Sequence, residues 1–126
     1  MVITAFDTNR DVTRFIPWLL EQGFTTAIRY YTAAAAPKRL SRAEAEALVR
    51  AGFTLAVVYQ DHGNSPDGFS EAAGRLAGRR AHDYAQSVIG QPEGSAIYFA
   101  VDFDASTTDL RERIVPHFRG IAEALV

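Results

Sequence analysis

The sequence predicts one α/β domain built of parallel strand–helix units, and three observations carry that expectation. Apolar strand-like runs alternate with helical periodicity four times along the 126 residues. Two of these units echo each other: EQGFTTAIRYY and RAGFTLAVVYQ share a helix end, a glycine (Gly23, Gly52), Phe, Thr and an apolar strand. Each strand-like run also ends in polar residues, and the C-terminal strand ends are where such folds gather functional groups. Repeated units of this size imply parallel strands joined by right-handed crossovers. Two architectures remain open. An open flavodoxin-like sheet needs only about five units, whereas an eightfold barrel typically needs ~250 residues. Length alone favours the open sheet.

The elements follow in order. VITAF (Val2 to Phe6) is the first apolar run, with a strand expected near 2–7. Val12, Phe15, Ile16, Leu19 and Leu20 recur at helical spacing until Gly23. TAIRYY (26–31) is β-branched and aromatic, as a strand should be. After a loop with Pro37, Ser41 and Glu44 form a capping box that predicts reciprocal bonds at the start of an Ala-rich helix ending at Gly52. TLAVVYQ (54–60) is the third strand. The polar loop DHGNSPDG leads to a longer helix with Ala73, Leu76, Ala77, Tyr84, Ala85 and Val88 on one face, ended by Gly90 and Pro92. IYFAVDFD (97–104) supplies the fourth strand, expected near 96–102. A last helix carries Leu110, Ile114, Phe118, Ile121 and Leu125 on one stripe.

Composition narrows the function. Apolar residues make up 48% and charged residues 22%, the balance of a globular domain with a core. The net charge of −2 and the scattered Lys and Arg give no electrostatic footprint for nucleic acid or a membrane surface. The absence of cysteine excludes disulfides, thiolate catalysis and Cys-based zinc sites. MVITAFDTNR reads as neither a signal peptide nor a spanning segment, so an exported form would carry its signal upstream. His62, His82 and His117 show no ligand spacing, and DHGNSPDG lacks the terminal glutamate of a calcium loop. No Gly-rich phosphate loop occurs, and the sequence implies no cofactor and no resident metal.

The strand ends carry the candidate site. Asp7 closes strand one, Arg29 and Tyr31 lie on strand two, Gln60 ends strand three, and Asp102 and Asp104 end strand four. Strand residues two apart share a face. Tyr98, Ala100, Asp102 and Asp104 should therefore point together, away from Phe99, Val101 and Phe103. Ala27, Arg29 and Tyr31 should do likewise on strand two, and the polar sets are expected to line one crevice. An arginine in a strand needs a carboxylate partner. Asp7 or Asp102 is the partner expected for Arg29.

FDTN, IRYY, LSRAEAEALVRAGFTLAVVYQ and above all IYFAVDFD resemble the glycoside-hydrolase-like barrel family of secreted bacterial cell-envelope proteins. That family is similar in turn to the family 25, Chalaropsis-type, lysozymes that cleave peptidoglycan. The resemblance implies a (β/α)8 barrel of which residues 1–126 supply the N-terminal half, the first four units, with an extracellular or cell-envelope location. It implies that Asp7 matches the strand-one aspartate and Asp102 the first carboxylate of a D-x-E motif. Asp104 stands where those enzymes carry the glutamate general acid, one methylene shorter, and a misplacement of about 1 Å can cost ~10²-fold in rate.

The catalytic assignment implied is Asp104 as acid, with Asp7 and Asp102 as electrostatic or base partners. Arg29, Tyr31, Gln60 and Tyr98 would bind the sugar. A second reading is a non-catalytic glycan-binding module with a degenerate site, which the Glu-to-Asp departure favours. A third, Mg2+-dependent phosphodiester hydrolysis on the D-x-D pair, lacks accompanying His or Lys. The partners expected are a peptidoglycan-like glycan and, through the unpaired first and fourth strands, a second copy that would complete the ring.

Overall fold

The computed structural model describes residues 2–33 and 37–126. Four strands, β1 (Ala5–Asp7), β2 (Thr26–Tyr31), β3 (Thr54–Tyr59) and β4 (Tyr98–Phe99), form one sheet in the order β1-β2-β3-β4. Every pairing is parallel, as the alternation of strands and helices requires. β2 has its expected bounds and β3 stops one residue early. The two outer strands are shorter than expected. Val2 and Ile3 stand exposed ahead of β1. β4 pairs only through Val58–Tyr98 and Tyr59–Phe99, after which the amide of Asp102 donates to the Gly63 carbonyl at 2.6 Å. The chain thus leaves the ladder for a neighbouring loop before the aspartates arrive.

A 3-10 turn (Thr13–Phe15) opens into α1 (Ile16–Glu21), with a proline in its first turn. Val12, Ile16 and Leu19 pack on Ala27, Leu48 and Phe53, while Phe15 and Leu20 remain about half exposed. Gly23 and Gly52, with φ of +87° and +97°, end the first two helices in left-handed turns, which is the physical content of the sequence echo. α2 (Arg42–Arg50) starts at Ser41, whose Oγ accepts from the Glu44 amide at 3.1 Å. The reciprocal half of that capping box is not made. The Glu44 side chain turns into the protein instead.

α3 (Glu71–Asp83) runs on as a π-helical turn, Tyr84–Ile89, and stops at Gly90. α4 (Thr107–Asp109), opened by a reciprocal Ser106–Asp109 capping box, continues through a π-helical turn (Leu110–Ile114) into α5 (Val115–Ala124). The wider turn alters the helical register. Ile114 and Ile121 of the expected stripe are buried, with His117 and Gly120 beside them, whereas Leu110, Phe118 and Leu125 are exposed. α3 and α5 pack through glycines: a Cβ on Gly74 would meet the His117 carbonyl, and one on Gly120 the Glu71 carbonyl.

Register decides which strand residues face these helices. Phe6 pairs with Ala27, Ala27 with Leu55, Arg29 with Val57, Tyr31 with Tyr59, and Tyr59 with Phe99. This is the covered face, and it holds the apolar clusters around Ala27 and Leu48 and around Tyr31, Leu40 and Ala81. Asp7, Ile28, Tyr30, Val58 and Tyr98 occupy the opposite, open face. The face expectation for strand two is therefore corrected. Arg29 and Tyr31 lie under the helices, and Tyr30 is the residue that shares a face with Asp7. A residue long enough to reach a carboxylate on α2 can be buried beneath a helix, so alternation alone could not choose the side.

Candidate functional site

The open face carries a chain of polar contacts across the C-terminal ends of the strands. The Tyr30 hydroxyl donates to Asp7 Oδ2 at 2.8 Å. Lys38, in the loop after β2, sets its ammonium 5.2 Å from the Tyr30 ring centroid and donates to Gln60 Oε1 at 3.3 Å. Gln60 Nε2 in turn donates to Asp102 Oδ2 at 3.3 Å. One neutral side chain thus stands between the cation and each carboxylate.

Electrostatics fix the direction of the first bond. Burial, then the hydrogen bond to Asp7 and the charges of Asp7 and Asp102, raise the Tyr30 pKa above its usual 10.0, with only Arg29 opposing. The phenol keeps its proton and acts as a donor.

Arg29 underlies the site from the covered face. It is wholly buried, and its partner is Glu44, not Asp7 or Asp102. Nε and Nη2 donate to the two Glu44 oxygens at 2.7 and 2.9 Å, a bidentate pair. Its other donors reach the carbonyls of Thr8, Lys38 and Pro37 at 3.0, 2.8 and 3.0 Å. All five guanidinium N–H groups are thereby used. Glu44 Oε2 also accepts from the Val12 amide at 3.1 Å. One ion pair holds the loop that follows Asp7, the loop that presents Lys38, and the start of α2.

The remaining expected residues divide. Tyr98 stands on the open face, 61% exposed. Tyr31 lies on the covered face, where its hydroxyl donates to Gln91 Oε1 at 2.6 Å and burial pushes its pKa up. Asp104 is exposed beyond the end of β4 and has no hydrogen-bond or ion-pair partner among the described residues. The structure therefore joins Asp7, Gln60 and Asp102, sets Tyr98 on the same face, and leaves Arg29 and Tyr31 beneath the sheet.

Sequence reasoning missed Tyr30, Lys38 and Glu44. Lys38 is the only lysine of the chain and sits at a strand-end loop, a signal that was available. Tyr30 follows from Asp7 once the β1–β2 register is known. Glu44 carried a second role that its place in a capping motif concealed.

A model of the Rv2525c-like, glycoside hydrolase-like domain matches residues 17–126. The chain belongs to this family. The matched span includes β2 to β4 and begins after Asp7. Among similar proteins, FadG of Bacillus subtilis (strain 168), described as uncharacterized, is 32% identical over 110 residues, 85% of this chain and 19% of FadG. YbfG of the same organism, likewise uncharacterized, is 35% identical over 81 residues, 64% of this chain and 11% of YbfG. The chain thus spans under a fifth of the length of either relative. No solved structure gives a significant match. For this member of the glycoside hydrolase-like family, no helix among the described residues is long and apolar enough to cross a membrane.

Proposed function

We propose that this domain acts on a cell-envelope glycan of the peptidoglycan type, by carboxylate acid/base hydrolysis of a glycosidic bond. The observation that carries the reading is the hydrogen-bonded line Asp7–Tyr30 and Lys38–Gln60–Asp102 across the C-terminal strand ends. Glycosidase chemistry needs one carboxyl that gives a proton to the leaving oxygen and another that stabilises an oxocarbenium-like charge. Asp7 and Asp102 each accept a hydrogen bond in the network, from Tyr30 and Gln60. Asp104, which has no hydrogen-bond or ion-pair partner among the described residues, stands at the position of the general acid that the family resemblance implies. Tyr98 offers an exposed ring for the apolar face of a sugar, and Gln60 offers an amide for its hydroxyls.

In this reading the four parallel strands are an arc of a (β/α)8 barrel, and further strands or a second copy cover the open face. The setting is the bacterial envelope or exterior. A second reading, a glycan-binding module without turnover, is favoured by the short, exposed Asp104 at the acid position. Release of reducing sugar from insoluble peptidoglycan by the protein and by Asp104→Asn and Asp102→Asn separates the two. Turnover lost in both variants supports hydrolysis. Binding without turnover in the parent chain supports the module. Turnover retained in Asp104→Asn removes Asp104 as the acid.

A further inference from the structure

On the covered face, away from the aspartates, a cavity of about 360 Å³ opens between the loop after β2 and the π-helical turn of α3. Three tyrosines line it, and each hydroxyl is already committed. Tyr31 bonds Gln91, Tyr59 bonds Asp61 at 2.6 Å, and Tyr84 bonds the Leu40 carbonyl at 2.6 Å. What they present to the cavity is ring surface. Asp61 is in the wall, but its oxygens accept from Thr32 Oγ1, the Ala33 amide and the Tyr59 hydroxyl. Asp83 lies at the rim, with its side chain 80% exposed.

Two cations remain. The Arg39 guanidinium lies 5.3 Å from the Tyr84 ring centroid, and Arg80 lies close enough to act on Tyr59 and Asp61. Among the described residues neither arginine has a carboxylate oxygen within ion-pair distance. The contrast with Arg29, whose donors are all used, is direct. Arg80 is engaged in part by the Tyr59 hydroxyl and the Asp61 charge, the Arg39 guanidinium meets a ring face, and the cavity is walled by aromatic faces. A ligand that satisfies it brings acceptors in a planar or tetrahedral group, which is the geometry a guanidinium fork binds best. Its volume is within the ~300–1,000 Å³ of small-molecule sites, and π-helical turns recur at such sites.

We propose that this cavity is an anion-binding site, independent of the aspartate cluster, in which Arg39 and Arg80 hold the carboxylate or phosphate of a small ligand against Tyr84. The test is titration of the 15N-labelled chain with inorganic phosphate, glucuronate and glucose, each to about 10 mM, the weak-affinity range. Saturable shifts at Tyr84, Ser87 and Ala33 with glucuronate or phosphate, and none with glucose, are expected. A response to glucuronate alone identifies a sugar acid, and a response to both identifies an anion site of broader choice. Arg80→Met, at an exposed position, should weaken binding at least tenfold and Arg80→Lys less, while Asp102→Asn leaves it unchanged. No shift at these residues with either anion, or equal binding by Arg80→Met, overturns the proposal.

Discussion

Arg29 and Glu44 form a bidentate ion pair, at 2.7 and 2.9 Å, in which neither side chain is exposed to solvent. Removing one partner of such a pair leaves a buried charge uncompensated. Glu44→Gln is therefore expected to lower the unfolding free energy by about 3–5 kcal/mol, read by urea denaturation. The double change Arg29→Met with Glu44→Leu should recover only part of the loss, because the Thr8, Pro37 and Lys38 carbonyls would still lose their donor. Full recovery would show that the three carbonyls find water.

The Tyr30–Asp7 bond lies on the half-exposed open face, so its effect on stability is small and its effect on the site is not. Tyr30→Phe should cost under about 1.5 kcal/mol in unfolding free energy. It should weaken glycan binding or turnover by about tenfold, because Asp7 loses the donor that orients it. Unchanged glycan binding and turnover in Tyr30→Phe would remove Tyr30 from the site.

His117 gives the domain a pH dependence. It is buried between α3 and α5 with its ring edge-on to Phe69, and Nδ1 donates to the Ser70 carbonyl at 3.1 Å. Burial lowers its pKa below the ordinary 6.5, with the Ser70 bond opposing. The unfolded chain therefore binds a proton more readily than the folded one. The His117 contribution is fully present above pH 6.5 and is lost progressively below it, down to the lowered folded value. A His117→Gln variant should show a flatter melting temperature between pH 7 and pH 5 than the parent chain.

Gly74 and Gly120 allow α3 and α5 to approach within backbone contact. Gly74→Ala gains helix propensity of about 1 kcal/mol, yet its methyl would collide with the His117 carbonyl. Overpacking of this kind costs about 1–3 kcal/mol or more. We expect a net fall in melting temperature, measured by circular dichroism, where an exposed helical glycine would give a rise.

The parallel topology and the bounds of β2 were legible because TAIRYY and TLAVVYQ are apolar, β-branched runs, each preceded by a left-handed glycine. The short span of β4 was not. Nothing in IYFAVDFD shows that its backbone passes to the Gly63 carbonyl after Phe99, since that depends on a loop more than thirty residues away. Asp7, Gln60 and Asp102 could be gathered by strand-end logic. Arg29 could not be assigned a face, because a buried arginine beneath a helix and one in an open crevice leave the same two-residue periodicity. Only the α2 carboxylate distinguishes them. The last stripe held at Ile114 and Ile121 and missed at Leu110, where periodicity assumed 3.6 residues per turn and Leu110–Ile114 forms a wider one.

Strand order in space equals strand order in the chain. Each new strand can therefore dock on the one made just before it, and no strand must wait for a distant partner. Loop-closure entropy is met in instalments of similar size instead of one large step. A nascent chain leaving the ribosome could then fix β1, β2 and β3 with their helices in turn, so folding is expected to be vectorial. The edges of β1, β2 and β3 each stay open only until the next strand in the chain docks.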